Sequence, residues 1–312
     1  MIKKVVVVAP RGFCAGVTRS IDIVEDALKV FGSPVYIKHA IVHNKTVIND
    51  LEKKGAVIVE KVEDVPEESV VIFSAHGSPP EDFKQAEARN LKVIDATCPL
   101  VTKVHFEIVS AIKKGQQPIY IGHLGHVEAE GVLGEARQLN VEVPIVETKE
   151  DIENLPVEFG RDKEIVILTQ TTFNVEKIKK LIRLIKEKFP KVIEPATKDI
   201  CYATTNRQEA IAELASEVDL VLVVGSKESS NSNRLVEVAL NNGAEAKLLD
   251  EVGELDDNWL ADKQTVGVSA GASAPEYRVQ EIVDYFQKQG ADVIEKQTVE
   301  EKMNFTRPKL RH

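Results

Sequence analysis

The feature that most constrains this chain is that it repeats itself three times at domain length, and each copy opens on a cysteine. Cys14 follows the apolar run Val5 to Ala9 and precedes Ile21, Val24 and Leu28 at helical spacing. Cys98 follows Lys92 to Ala96 and precedes Val104, Ile108 and Ile112, and Cys201 precedes a helical pattern through Ala210 to Ala215. A second apolar strand then appears in each copy: Pro34 to Ile37, Pro118 to Ile121 and Asp219 to Val224. Past it, His43 lies 29 residues after Cys14, His126 lies 28 after Cys98, and Ser229 lies 28 after Cys201. A third strand, at Val70 to Phe73, Ile165 to Leu168 and Thr265 to Val268, ends in SAHG, TQTT and SAGAS. The helices that close the copies are clearest at Val175 to Phe189 and Pro275 to Gln287.

Strands that alternate with helices imply parallel sheets with right-handed crossovers. The predicted fold is therefore α/β: three similar units with parallel sheets about a pseudo-threefold axis. The boundaries read 14–97, 98–200 and 201–297, the third unit completed by the N-terminal strand within 1–13, with a tail at 298–312. No low-complexity linker separates the copies, so one rigid body is expected. An ordinary doubly wound fold would share the βα rhythm but would not explain the matched spacings.

In parallel sheets, ligands collect beyond the carboxyl ends of the strands, where helix N-termini also point. Every candidate residue sits at such an end. A helix N-terminus favours thiolate, the form that binds metal, so three equivalent cysteines suit a four-iron cluster with one open iron or a zinc with one open position. His43, His76 and His126 close strands and offer donors to phosphate oxygens. His39, His105, His123 and His312 have no repeated context and are assigned to packing or surface. Glu128, two residues after His126, is either a buried proton donor or a solvated helix-start acid, a role that suits Glu130 better.

Ser229, Ser230, Asn231, Ser232 and Asn233 precede a helix read from Leu235; such residues cap helices and can also complete an oxyanion cage. Ser273 after Gly271, and Thr171 with Thr172, repeat this arrangement more weakly. Thr205 to Gln208 reads as a capping box and is assigned a structural role.

Composition narrows the partners. Acidic residues outnumber basic ones, 50 to 40, with no basic run interleaved with aromatics, so nucleic acid is an unexpected partner. A net charge of −10 repels anions at long range, so a phosphate site must depend on local donors. No apolar run approaches the roughly 20 residues of a membrane span, and no signal peptide is legible, so a cytoplasmic location is expected. Three cysteines in such a chain argue against a disulfide framework. The absence of GxGxxG and Walker motifs speaks against direct nicotinamide binding.

Across nearly its whole length the chain resembles the 4-hydroxy-3-methylbut-2-enyl diphosphate reductases, the LytB-type iron-sulfur enzymes of the non-mevalonate isoprenoid route. The resemblance rests on RGFCAGV at Cys14, HN at His43, SAHG at His76, DATCPLV at Cys98 and GHVEAEG at His126. It continues through TQTT at Thr171, CYATTNRQ at Cys201, SSNSNR from Ser229 and GASAP at Ser273.

It implies one 4Fe-4S cluster on Cys14, Cys98 and Cys201, whose open iron takes the substrate hydroxyl and is lost on oxidation to leave 3Fe-4S. It further implies a diphosphate cage of His43, His76, His126, Thr171, Ser229, Ser230, Asn231 and Ser273, with Glu128 and Thr171 as the proton-delivering pair. The implied reaction is reductive dehydroxylation to isopentenyl and dimethylallyl diphosphates, with electrons from ferredoxin or flavodoxin. Glu228 sets a negative charge beside that cage and is expected to point into solvent. The other classes are a Cys₃ zinc hydrolase, which would need a water position and no electron donor, and a non-catalytic redox or phosphate sensor, which would have no use for Glu128 and Thr171 beside the metal.

Overall fold

In a computed structural model the structure describes residues 2–156, 158–194 and 199–311. The chain begins with β1 (Lys4–Ala9), α1 (Ala15–Phe31), β2 (Val35–Lys38), α2 (Lys45–Lys53), β3 (Ala56–Val59), β4 (Val70–Phe73), α3 (Pro80–Ala88) and β5 (Lys92–Asp95). It continues with α4 (Pro99–Lys113), β6 (Gln117–Ile121), α5 (Val127–Gln138), β7 (Ile145–Val146), α6 (Lys149–Asn154), β8 (Ile165–Thr169), α7 (Val175–Lys188) and β9 (Val192–Ile193). It then runs through α8 (Tyr202–Ala215), β10 (Leu220–Val224), α9 (Ser230–Asn241), β11 (Glu245–Leu249), β12 (Thr265–Ala270), α10 (Glu276–Lys288) and β13 (Asp292–Gln297).

Three parallel sheets result, ordered β3-β2-β4-β5, β7-β6-β8-β9 and β11-β10-β12-β1-β13. The order is the same in each: the short strand that lies between the second and third apolar strands of the copy, then the second, then the third, then the strand that runs toward the next cysteine. In the third sheet that last place is taken by β1, which pairs with β12 in parallel from Lys4 opposite Thr265. β13 then adds a fifth strand on the far side of β1.

The described chain divides into two compact units. The first comprises Met1–Thr18, Val42–Lys54 and Tyr202–Thr306; the second comprises Arg19–Ile41, Gly55–Cys201 and Arg307–His312. These do not follow the three copies, because α2 groups with the third copy. Its segment is tied there by Lys45 N–H to Ser226 Oγ at 3.1 Å, Ser273 Oγ to the His43 carbonyl at 3.1 Å, and Tyr277 Oη to Asp50 at 3.1 Å.

In the first unit the five-stranded sheet is covered on both faces. Val5, Val7, Leu220, Leu222, Val266 and Val268 pack with Phe286 of α10, while Val6, Val8, Val221 and Val223 pack with Ile211 and Leu214 of α8 and Leu235 of α9. Each such side chain taken from water contributes roughly 1.5–3 kcal/mol, and burial on both faces explains the near-continuous valine runs. In the second unit β6 and β8 divide likewise: Ile119, Ile121, Ile165 and Ile167 face Leu181 and Ile185 of α7, and Tyr120, Val166 and Leu168 face Ala129 and Val132 of α5.

Two helix starts differ from the sequence expectation. α9 begins at Ser230 rather than Leu235, with Ser229 as its cap accepting Ser232 N–H at 3.2 Å, so Ser230, Asn231 and Ser232 form its first turn. α8 begins directly after Cys201, which puts Thr205 inside the helix and not at a cap. The reason is that the Cys201 amide bonds to the Thr171 carbonyl at 3.1 Å, which turns the chain into the helix earlier than the Thr205 signal suggests. Among the described residues no helix is long and apolar enough to cross a membrane.

Candidate active site

Each cysteine stands immediately before a helix: Cys14 before α1, Cys98 as the cap of α4 with Pro99 at the first helical position, and Cys201 before α8. The backbone holds all three in the same way. Cys14 N–H donates to the Ala272 carbonyl at 3.2 Å, Cys98 N–H to Ala75 at 3.0 Å and Cys201 N–H to Thr171 at 3.1 Å. Each acceptor lies in the loop that ends the third strand of a copy, in SAGAS, SAHG and TQTT respectively. All three cysteines are half-buried and none forms a disulfide.

In the second unit the candidates gather around Glu128. His126 caps α5, its Nδ1 accepting the Glu128 amide N–H at 3.1 Å, which sets Glu128 in the first turn with its side chain turned inward. That carboxyl is only 2% exposed. Its Oε1 accepts Thr171 N–H at 2.6 Å and Tyr120 Oη–H at 3.5 Å, and its Oε2 accepts Thr171 Oγ1–H at 2.8 Å. Burial pushes the Glu128 pKa up, and the bonds from Thr171 pull against that without cancelling it. Glu128 is thus a buried acid, unlike its neighbour Glu130, which is about half exposed beside Arg137.

The His76 ring meets that of His126 edge-on with centroids 6.2 Å apart, and His76 Nδ1 lies 3.3 Å from Ser74 Oγ. Two further residues complete this cluster and were missed in the sequence. Tyr120, fully buried beneath Glu128, has its pKa raised by burial and then by the Glu128 charge, so it stays a neutral donor. Asp199 accepts Thr169 N–H at 3.0 Å and pairs with Lys103 at 2.8 Å, fixing the strand end that carries Thr171. Tyr120 carried a signal in being a polar tip on an otherwise aliphatic buried strand; Asp199 carried none.

In the first unit His43, Ser229, Ser230, Asn231 and Ser273 come together with Cys14. Asn231 Oδ1 accepts Ala272 N–H at 2.8 Å, one residue from Ser273, whose hydroxyl holds the His43 carbonyl. The Asn231 Nδ2 group is buried and has no partner among the described residues, so it is a donor available to an anion. Ser232 has a different use. A Cβ on Gly225 or Gly271 would approach its Oγ to 2.3 and 2.0 Å, so both glycines are required for its close packing. Glu228 is half exposed, as expected, and also meets Lys45 at 3.3 Å; its own amide N–H and then Lys45 hold it below the ordinary carboxylate range.

The unrepeated histidines that the structure describes each meet a carboxylate, and His105 also acts on the charge of Glu128. His39 pairs with Glu60, His105 with Glu135, and His123 with Glu147 while its ring lies against Phe173; His312 lies outside the described residues.

Among the described residues no three His, Cys, Asp or Glu side chains gather around one point as a single ion demands. A zinc draws its thiolates to about 2.3 Å of one centre, whereas a four-iron cluster spreads its ligands over separate corners. Three half-buried thiols, each at a helix start with its amide anchored, are a donor set that either a four-iron cluster or an open zinc site could use.

The LytB protein family model matches residues 5–287. The 4-hydroxy-3-methylbut-2-enyl diphosphate reductase of Haemophilus influenzae is 49% identical over 307 residues, covering 98% of this chain and 97% of its own. The solved E-1-hydroxy-2-methyl-but-2-enyl-4-diphosphate reductase of Plasmodium falciparum superposes with a TM-score of 0.92 at 37% identity, covering 97% of this chain and 94% of that one. A structure of (E)-4-hydroxy-3-methyl-but-2-enyl diphosphate reductase, described as the terminal enzyme of the non-mevalonate pathway, superposes with a TM-score of 0.66 at 33% identity, covering 92% of this chain and all of that one. With a family match over nearly all its length and this arrangement of site residues, the chain belongs to the LytB family.

Proposed function

We propose that this protein reduces (E)-4-hydroxy-3-methylbut-2-enyl diphosphate to isopentenyl and dimethylallyl diphosphates in the cytoplasm, as the last step of the non-mevalonate isoprenoid pathway. The observation that carries the reading is the anchoring of three equivalent cysteine amides to the three strand-end loops that bear the ligand candidates. Cys14, Cys98 and Cys201 would hold one 4Fe-4S cluster. When bound, that cluster supplies electrons one at a time and an open iron as Lewis acid for the substrate hydroxyl.

The chain's own residues do the rest. His43, His76, His126, Ser229, Ser230, Asn231 and Ser273 bind the diphosphate through local donors, which a net charge of −10 makes necessary. Glu128, its pKa raised by burial and its carboxyl oriented by Thr171, gives a proton to the departing oxygen. Two electrons and two protons are consumed, the allylic C–O bond breaks, the oxygen leaves as water, and the second proton ends on carbon. Ferredoxin or flavodoxin is the electron donor in this reading, since no nicotinamide fingerprint is present.

The test is product analysis under anaerobic conditions with excess chemical reductant. Both five-carbon diphosphates should form and should disappear when reductant is withheld. Release of phosphate or diphosphate without reduction would overturn the reading in favour of a hydrolase.

A further inference from the structure

The segment after β13 carries no motif, yet it reaches a buried cation beside Cys14. Arg207, in α8, has a side chain 1% exposed, and it is met by Glu301, whose side chain is 15% exposed. Its Nη1 donates to the Ala203 carbonyl at 3.0 Å and to Glu301 Oε1 at 2.9 Å. Its Nη2 donates to the Gly12 carbonyl at 2.9 Å and to Glu301 Oε2 at 3.3 Å. Asn206 Nδ2 adds a further bond to Glu301 Oε1 at 3.0 Å. The segment is led there by Thr298, whose N–H and hydroxyl both donate to the Ala9 carbonyl, at 2.9 and 3.0 Å.

Gly12 is where the loop before Cys14 turns. Its φ is +65°, and a Cβ there would stand 3.2 Å from the Ala274 carbonyl, so both conformation and space call for glycine. The turn aims the Gly12 carbonyl at Arg207. Two residues on, Cys14 N–H and then Ala15 N–H are each held by a bond of 3.2 Å, to the Ala272 carbonyl and the Tyr202 hydroxyl. These bonds are at the long end of the normal range, so the loop depends on Arg207 being held still. A buried guanidinium without its carboxylate is an uncompensated charge and would leave this position or draw in water.

We propose that Glu301 is a positioning residue for Cys14: through Arg207 it fixes the Gly12 carbonyl, so that the C-terminal segment forms part of the cysteine site. This rests on the reading that Cys14 holds a ligand, and the test separates the two. The anaerobically prepared full-length protein is treated with a trace of iodoacetamide, and alkylation of Cys14, Cys98 and Cys201 is followed by peptide mass. In Glu301→Ala, Cys14 should react about tenfold faster or more, the factor that corresponds to a loop held closed by about 1.4 kcal/mol less, with Cys98 and Cys201 within about twofold of the parent. Arg207→Met should do the same, and the double variant should add little to either single one, because the two residues act in series.

A uniform rise at all three cysteines, no rise at Cys14, or additive effects of the two substitutions would overturn the proposal. If Glu301→Ala does not fold, Glu301→Gln is measured in the same way against the same outcomes. Iron and sulfide assays on the parent decide the cluster reading separately, since the ratio among the three cysteines is read whether or not a cluster is present.

Discussion

Replacing Glu128 by Gln separates proton delivery from everything else the site does. The carboxyl is held by Thr171 N–H at 2.6 Å and Tyr120 Oη–H at 3.5 Å on one oxygen, and by Thr171 Oγ1–H at 2.8 Å on the other. The Gln carbonyl takes over the first oxygen's place and keeps both of its donors. Its amide takes the second place, where the Thr171 hydroxyl turns from donor to acceptor. Each heavy atom keeps a partner and only the second amide hydrogen and the Thr171 hydroxyl hydrogen lose an acceptor, so stability should fall by about 1 kcal/mol. The rate should fall far more, because general acid catalysis contributes about 10²- to 10⁴-fold, or roughly 2.7 to 5.4 kcal/mol of barrier.

The assay is single-turnover product formation under anaerobic conditions with reductant in excess, alongside iron and sulfide content and diphosphate binding, both of which should match the parent. The pH profile adds a second readout. Burial raises the Glu128 pKa, the acid form is present below that value, and the parent rate should decline as pH rises through it. Glu128→Gln should lack that alkaline limb. Turnover at the parent rate with a full cluster would remove Glu128 from the mechanism.

Three further outcomes follow from the geometry. Tyr120→Phe removes a donor that favours the Glu128 carboxylate, so the Glu128 pKa should move further up and the alkaline limb of kcat should shift to higher pH; a shift to lower pH would contradict the arrangement. Asn231→Ala removes the unpartnered Nδ2 donor and frees the Ala272 amide, and calorimetric titration with inorganic diphosphate should show about tenfold weaker binding with cluster content unchanged. Unchanged affinity would place the cage elsewhere. Lys45→Ala leaves the Glu228 charge unpaired and should weaken diphosphate binding by up to about fivefold, with Glu228→Gln in the same background restoring it; failure of that restoration would show that Glu228 does not act on the anion.

The strands were legible because parallel strands covered on both faces are written as short apolar runs: Val70 to Phe73 is read to the residue, and β8 and β12 only extend slightly beyond their apolar runs. The strand-end residues were legible because spacing from each cysteine is a local property of strand, loop and helix length. Helix starts were less so, since Ser229 to Asn233 offer several competing caps and tertiary bonds choose among them: Asn231 to Ala272 N–H settles α9, and Cys201 to the Thr171 carbonyl settles α8. Contacts distant in sequence left no local trace. Nothing near His43 announces that Ser273 grips its carbonyl, and nothing in the tail announces that Glu301 meets Arg207, 94 residues away.

The central claim is that Cys14, Cys98 and Cys201 jointly hold one iron-sulfur cluster. Iron, zinc and acid-labile sulfide measured on anaerobically purified parent and on the three single Cys→Ser variants test it most directly. The parent should carry about four irons and four sulfides per chain, and each variant should lose most of both, because a cluster with two remaining protein ligands is not retained. Stoichiometric zinc without sulfide in the parent, or a full cluster in any one of the three variants, would contradict the claim.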